Sequence, residues 1–485
     1  MTGGPVQTIN GASAPGGGSF AVVDPATGEP FTRVPECTPA QVEEVMAAAE
    51  AAFRTGWRTS RERRRRALHA AADVLAAHED ELAALVVREQ GKPLADARME
   101  AMAGALVFRY YADLEVPPEI IQDDGSARVA VTHRPLGPVV AITAWNIPLI
   151  MACCKVAPVL AAGNTVVVKP SPFTPVTTLR LGELLREAFP PGVLNVVSGG
   201  GPELGALLTR HPLTRKITMT GSVATGKKVA AAAAPDLKRV TLELGGNDAA
   251  IVLDDADPAA IAERLFWGAF GNCGQLCIAA KRIYVHEDLL DGVTEALVAR
   301  AERTVVGDGA AEGTELGPLQ NAPQLARVTG LVEEARAKGA RVLTGGRRLD
   351  RPGYFYAPTV LGGAGHGMRI VDEEQFGPVM PILAYRDLDE AVRLANDTAF
   401  GLGGSVWSGD PARAAEVAAR IDAGMVWINT HGDNAFPRQP FGGVKWSGLG
   451  SELGPWGFLA ATDTQVVYES RATGEPPSLI QTQEA

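Results

Sequence analysis

Val139-Val140-Ala141-Ile142, Thr165-Val166-Val167-Val168, Leu194-Asn195-Val196-Val197 and Lys216-Ile217-Thr218-Met219-Thr220 are short apolar runs, each leading into a helical stretch, after Pro148, Pro175, Pro202 and Ser222 respectively. None alternates polar with apolar residues, so each strand needs cover on both faces, which a parallel sheet between helix layers supplies. The rhythm is that of consecutive βαβ units. A second series begins near Ala249-Ala250-Ile251-Val252-Leu253 and runs through Ile283-Tyr284-Val285, Ile382-Leu383-Ala384-Tyr385 and Met425-Val426-Trp427-Ile428-Asn429. The expected fold class is therefore α/β, with two parallel-sheet domains. Ligands in such sheets bind beyond the strand C-termini, so motifs at strand ends carry the most weight.

Upstream, apolar residues recur at helical spacing from Pro39 to Tyr111, interrupted at Gly56 and Gly91-Lys92-Pro93, which predicts several consecutive helices. Between them and the first sheet, Asp123-Asp124-Gly125 sits between extended runs and predicts a hairpin over Glu119–Arg134. Thr464–Tyr468 reads as one further strand. Neither has an evident home in the two sheets, which makes both candidates for pairing across a subunit interface, and Arg471–Ala485 reads as a loose polar tail.

A chain of 485 residues exceeds what one hydrophobic core organises, in keeping with more than one domain. Its net charge of -11 argues against a nucleic-acid partner, which is held by clustered cations. The basic run Arg61-Glu62-Arg63-Arg64-Arg65-Arg66 opens a helix and reads as a solvated face or subunit contact. Residues 1–18 lack the charged and apolar regions of a signal peptide, and no run approaches the roughly 18 apolar residues that span a bilayer. The expectation is a cytoplasmic protein with no membrane partner. Five dispersed cysteines imply reduced thiols, and no second CxxC or His cluster completes a zinc site, so no metal is expected.

Of the thiols, Cys277 lies in the polar, glycine-punctuated loop Gly271-Asn272-Cys273-Gly274-Gln275-Leu276-Cys277, where a nucleophile is exposed rather than packed. Alone, it reads first as a small core hydrophobe. Glu243, in Leu242-Glu243-Leu244-Gly245-Gly246, is a carboxylate inside an apolar strand. Burial there raises its pKa toward that of a general base, although a strand-end Glu paired to a surface cation is an equal alternative. Asn146, in Ala144-Trp145-Asn146-Ile147-Pro148, offers an amide donor to an oxyanion, or plain turn chemistry.

Together these segments resemble the aldehyde dehydrogenase superfamily, as do Lys169-Pro170-Ser171, Thr220-Gly221-Ser222, Glu373-Glu374-Gln375-Phe376-Gly377-Pro378-Val379 and Pro440-Phe441-Gly442-Gly443. The order and spacing match from about residue 20 to about residue 468. The resemblance implies two Rossmann-like domains and a small β oligomerisation element. The expected boundaries are 1–118 and 136–246 for the dinucleotide-binding domain and 247–452 for the catalytic domain. The oligomerisation element and tail take 119–135 and 453–485. It implies that Cys277 adds to an aldehyde, that Asn146 and the Cys277 amide meet the oxyanion, that hydride passes to NAD(P)+, and that Glu243 activates the water that hydrolyses the thioester. Trp145, Lys169, Ser171, Pro172, Gly221, Ser222, Gly226, Glu374 and Phe376 are the implied cofactor residues, with the pyrophosphate resting on Gly221-Ser222 at a helix N-terminus, where free N–H groups and the dipole favour anions. Ile147, Met151, Cys154, Ile278, His431 and Phe441 are the implied substrate pocket. Lys155 and Glu452 stand at positions linked to proton relay, with structural salt bridging as their first reading. A homodimer or homotetramer is expected.

Where many NAD-preferring relatives carry Glu after Lys-Pro-Ser, this chain has Pro172, which removes a barrier to the 2′-phosphate of NADP. Dual cofactor use follows, with a slight lean to NAD. The aromatics that hold a cationic aldehyde in betaine-type relatives are missing at Ile147 and Cys154, and no Arg stands beside Cys277 for a second carboxylate. A neutral aliphatic or aromatic aldehyde is therefore expected rather than betaine aldehyde or succinic semialdehyde. Cys273 either forms a reversible disulfide with Cys277 or, the plainer reading, is a loop residue never oxidised. The competing functions are a CoA-acylating dehydrogenase, whose members commonly lack the carboxylate base, and a catalytically retired scaffold.

Overall fold

The computed structural model describes residues 4–433 and 435–471. Its largest sheet runs in the order Gly448–Leu449, Arg239–Glu243, Lys216–Thr220, Pro138–Ile142, Thr165–Lys169, Leu194–Val196, Gln7–Ile9 and Ala12–Ala14. The central strands pair in parallel, and the short strands at the two edges join antiparallel. Val139 and Ala141 pack among the helices Leu94–Asp113 and Pro148–Ala161, whereas Val140 faces Val42, Val45 and Met46 of helix Pro39–Ala52. Each such valine contributes roughly 1.5–3 kcal/mol by leaving water, which is why the runs carry no polar face.

The second sheet has the order Arg341–Thr344, Thr359–Gly362, Val379–Tyr385, Ala280–His286, Asp248–Val252, Gly403–Trp407 and Met425–Ile428, with the first strand antiparallel and the rest parallel. Here too alternate residues serve opposite cores: Ala249 and Ile251 on one face, Ala250 and Val252 on the other. Arg239–Glu243 of the first sheet continues into Asp248–Val252 of the second through residues 244–247. The two sheets therefore meet at a short connection immediately after Glu243.

In the first sheet the chain leaves Pro138–Ile142 for strands on one side and returns to Lys216–Thr220 on the other. This reversal opens a crevice at the strand C-termini, where Ala144-Trp145-Asn146 and Gly221-Ser222 both lie. The helices behind it are started by buried carboxylates from distant sequence. Glu100 accepts the amides of Leu149 and Ile150 and pairs with Lys92. Glu89 accepts those of Val176 (2.7 Å) and Thr177 (3.0 Å). Both carboxylates take up amides that a helix start leaves without partners.

The hairpin forms as Glu119–Asp123 against Ala127–Pro135, and the last described strand, Thr462–Ser470, pairs along the whole of Ala127–Pro135. The two segments expected to seek partners in another subunit thus find each other within one chain. Their sheet still presents Ile121, Val466 and Tyr468 to solvent. The opening residues, although rich in Gly and Pro, supply the two edge strands and lead into the hairpin Gly18–Asp24/Glu29–Glu36. Near its other end the chain rejoins the first sheet at Gly448–Leu449, before the expected limit at 452, because Leu242 and Glu243 pair there. The basic run does open a helix, Arg61–Ala77, with Arg64 turned inward onto the carbonyls of Ala161 and Arg58. Among the described residues no helix is long and apolar enough to cross a membrane. The expected polar tail lies outside the described residues, apart from Arg471.

Candidate active site

Helix Pro258–Phe270, capped by Asp257 with Pro258 in its first turn, delivers the chain to the thiol loop. Asn272, Cys273 and Gly274 then adopt consecutive positive φ values of 51°, 59° and 68°, a left-handed curl that turns the loop back on itself. Gly274 is required twice over, since a Cβ there would stand 2.1 Å from the Gly377 carbonyl oxygen. Buried Gln275 locks the curl, accepting from the Gln320 amide at 2.9 Å and donating to the Asn272 carbonyl at 3.1 Å. Asn146 reaches across from the first sheet. Its Nδ2 donates to the Gln275 carbonyl at 2.9 Å, and Asn272 Nδ2 donates to the Asn146 carbonyl at 2.9 Å. The second Nδ2 hydrogen of Asn146 remains for another acceptor.

Cys277 lies half-buried on the cleft. Burial pushes its thiol up to about 12, with Glu374, Asp248 and Glu243 adding to the rise and Lys281 opposing it. Cys153, Cys154 and Cys273 are buried, and Cys273 packs in the second domain's core with Leu319 and Val379. Glu243 is 2% exposed, and neither carboxylate oxygen has a hydrogen-bond partner among the described residues. Burial first, and then nearby Glu452, hold its carboxyl well above the ordinary range, while Lys155 pulls it down. Lys155 and Glu452 form an ion pair at 2.5 Å, joined by Thr218, whose hydroxyl donates to the same Glu452 oxygen at 2.7 Å.

The cleft holds about 630 Å³, within the range of small-molecule sites, and is walled by Trp145, Ser222, Gly245, Cys277, Glu374 and Phe376 among others. Trp145 and Phe376 meet edge to face at 5.2 Å across the cleft that Cys277 also lines. Ser222 caps helix Val223–Ala233, and the amides of Val223 and Ala224, which line the cleft, have no protein acceptor among the described residues. The Gly221 amide, expected to be free, donates to the Glu243 carbonyl at 3.0 Å, because the ladder between their strands runs one bond further. Gly226 is a packing position, where a Cβ would stand 2.6 Å from a Leu244 methyl. Lys169 is buried with its Nζ 3.2 Å from the Pro170 carbonyl, and desolvation lowers it to about 8. Ser171 is buried beside half-buried Pro172. Glu374 accepts the Gly246 amide at 3.0 Å, and a Cβ on Gly245 would lie 2.3 Å from its Oε2, so a larger residue there would push the carboxylate aside.

Of the expected substrate residues, Ile147 and Phe441 are half-buried against the first core, and Met151 Sδ accepts the Ala144 amide at 3.0 Å. Ile278 is half-buried beside the thiol. Cys154 and His431 are not open walls. Cys154 faces a small inner cavity with Lys155, Lys216 and Glu452. The His431 ring is fully enclosed, with Nδ1 2.8 Å from the Ser405 hydroxyl and Nε2 2.7 Å from the Ile278 carbonyl. Burial lowers it to about 4, so it is neutral, with Nε2–H donating to Ile278 and Nδ1 accepting from Ser405. Arg327 and Trp446 line the cleft and were not expected. Arg327 donates to Glu373 and to the Glu374 carbonyl, and half-exposed Trp446 carries Lys227 Nζ 3.4 Å above its ring. Among the described residues no cluster of three or more His, Cys, Asp or Glu could hold a metal.

The aldehyde dehydrogenase family model matches residues 13–467. An aldehyde dehydrogenase of Enchytraeus buchholzi is 39% identical over 460 residues, covering 93% of this chain and 92% of that one. A solved NAD+ complex of an aldehyde dehydrogenase from Bacillus cereus superposes with a TM-score of 0.94 at 35% identity, covering 97% of each chain. A Staphylococcus aureus betaine aldehyde dehydrogenase solved with NAD+ gives a TM-score of 0.94 at 33% identity over 99% of this chain and 97% of that one.

Proposed function

The chain belongs to the aldehyde dehydrogenase family, and from that premise we propose that it oxidises an aldehyde to a carboxylic acid through a thioester on Cys277, using a nicotinamide dinucleotide. The observation that carries the hydrolytic half is Glu243, a buried carboxyl with both oxygens unpartnered among the described residues, on the strand that leads into the cleft. An unpaired buried carboxyl costs stability, and a base that must accept a proton from water gives it a use.

The Cys277 thiolate forms a C–S bond with the aldehyde carbon, and the carbonyl π pair moves to oxygen. The second Nδ2 hydrogen of Asn146, whose first is held by the Gln275 carbonyl, and the Cys277 amide would donate to that oxyanion. The cofactor, when bound, supplies the hydride acceptor. Loss of hydride from the carbon restores C=O as a thioester. Glu243 then takes a proton from water as its oxygen adds, the C–S bond breaks, and the thiol recovers a proton as the acid leaves. The Val223 and Ala224 amides suit the pyrophosphate, Lys169 and Glu374 the riboses, and Trp145 and Phe376 the nicotinamide end. The two orphaned amides and the cleft volume fit such a molecule.

With Pro172 at the place of a ribose-binding carboxylate, both NAD and NADP are accepted, NAD slightly better. Ile147 and Phe441 favour a neutral aliphatic or aromatic aldehyde, and the exposed apolar strip of the third sheet supports a homo-oligomer. The test is an aldehyde panel with each dinucleotide, with and without CoA. Neutral aldehydes turning over without CoA are expected. Betaine aldehyde as best substrate, strict exclusion of NADP, or a CoA requirement would each overturn the corresponding part.

A further inference from the structure

The turn Gln90-Gly91-Lys92 has no part in the chemistry at Cys277, yet its side chains reach the segment of Asn146 from two directions. Helix Glu79–Gln90 ends there because Gly91 takes φ 95°, and a Cβ on it would stand 2.8 Å from Cγ of both Pro25 and Pro318. Gln90 and Lys92 are buried on either side of it. Buried polar groups need partners inside the protein, and those of this turn lie in the nucleophile loop and behind the helix that follows Asn146.

The direction of the Gln90 amide is set at its oxygen, which accepts the Lys92 amide at 3.0 Å, so Nε2 is left to donate to Asn272 Oδ1 at 3.2 Å. That bond sets Asn272 in turn, whose Nδ2 donates to the Asn146 carbonyl at 2.9 Å and approaches the Gln275 carbonyl at 3.4 Å. Turned end for end, the Asn272 amide would press its oxygen against both carbonyl oxygens, and Gln90 supplies the donor that prevents it. On the other side Lys92 pairs with Glu100, whose Oε2 accepts the amides of Leu149 at 3.1 Å and Ile150 at 3.2 Å, in the first turn of the helix after Asn146. Two lines thus leave one turn and close on Asn146 at its carbonyl and at the helix start beyond it. A side chain aims a hydrogen at a developing charge only as accurately as its backbone is held.

We propose that Gln90 is a positioning residue for Asn146, acting through the Asn272 amide to hold the Asn146 backbone so that its second Nδ2 hydrogen meets the oxyanion. This rests on the reading of Asn146 as an oxyanion donor. Gln90→Met keeps the length of the side chain and removes its amide. Asn272→Gly removes the next link, and glycine accepts the φ of 51° found there.

Single-turnover formation of reduced dinucleotide from a neutral aldehyde is measured in the full-length chain, with Gln90→Met made in the wild type and in Asn146→Ala. Dinucleotide affinity, alkylation of Cys277 by iodoacetamide and thermal melting are followed beside it. In the wild type Gln90→Met should slow the burst by about tenfold, part of what losing the donor outright costs. Dinucleotide affinity and the alkylation rate should hold. In Asn146→Ala the same substitution should change the burst by less than about twofold, because the group it aims is already gone. An unchanged burst in the wild type overturns the proposal. So does an equal slowing in both backgrounds, which is what a merely structural glutamine gives, or alkylation slowed by the same factor, which places the effect on the thiol. If Gln90→Met does not fold, Asn272→Gly decides by the same comparisons. The reading of Asn146 fails separately, if Asn146→Ala alone keeps the wild-type burst.

Discussion

Replacing Glu243 with Gln removes a base and leaves the shape of the site. Its carboxyl makes no hydrogen bond among the described residues, so the substitution breaks none there, and the change in stability should stay within about 1 kcal/mol. The chemical effect is larger, because water must then attack the thioester without a base. General-base assistance contributes about 10²–10⁴ in rate, or roughly 3–5 kcal/mol of barrier. Thiol addition and hydride loss do not use Glu243, so the variant should form its thioester at close to the wild-type rate and then stall. In a stopped-flow experiment reduced dinucleotide should appear as a burst of about one equivalent per chain, followed by a steady state slower by about that factor. Intact-mass measurement should find the acyl group on Cys277. In the wild type the hydrolytic step should speed up as pH rises through the raised Glu243 pKa, above the ordinary carboxylate range, and this limb should vanish in the variant. A Gln variant that turns over at the wild-type rate, or that loses the burst along with the steady state, refutes the assignment.

Asn146→Ala removes an oxyanion donor and the bond to Gln275, and should slow the burst itself by about 10²–10³, read by single-turnover kinetics, while dinucleotide affinity holds. Pro172→Glu should lower the ratio of kcat/KM for NADP over NAD by about tenfold or more, by setting a carboxylate against the 2′-phosphate, and an unchanged ratio would place the ribose elsewhere. Glu89 is raised to about 7 by burial, so the folded state holds its proton more tightly than the unfolded chain does. Its contribution should fall by roughly 3 kcal/mol as pH rises from about 4.5 to 7 and stay flat above, and urea titrations of Glu89→Gln should lack that slope.

The central strands were legible because burial on both faces leaves a run such as Thr165-Val166-Val167-Val168 no room for polar residues. The edges were not. Gln7–Ile9 and Ala12–Ala14 are short and small-residue-rich, and Gly403–Trp407 opens on two glycines that break the apolar signal. The motif residues fell where strand ends meet the crevice, so Cys277, Asn146 and the loop of Glu374 do assemble around one cleft. Side-chain direction is what a linear pattern lacks. His431 stands in a segment near the thiol, but its ring turns inward to Ser405 because an imidazole with two buried partners is better satisfied there. Glu89, Glu100 and Lys281 looked like ordinary charges, since the amides and carbonyls they serve appear only once the chain has folded back on them.

The contact of Gly274 with the Gly377 carbonyl brings two backbones together with no side chain between them. Side chains absorb displacement by changing rotamer, whereas backbone pressed on backbone passes it on undiminished. A displacement of the segment bearing Glu374 and Phe376 is therefore expected to carry the thiol segment with it. Under the proposed function, a dinucleotide entering against Glu374 and Phe376 would press on the nucleophile loop through that contact, so cofactor exchange and thiol geometry would be linked without any separate messenger.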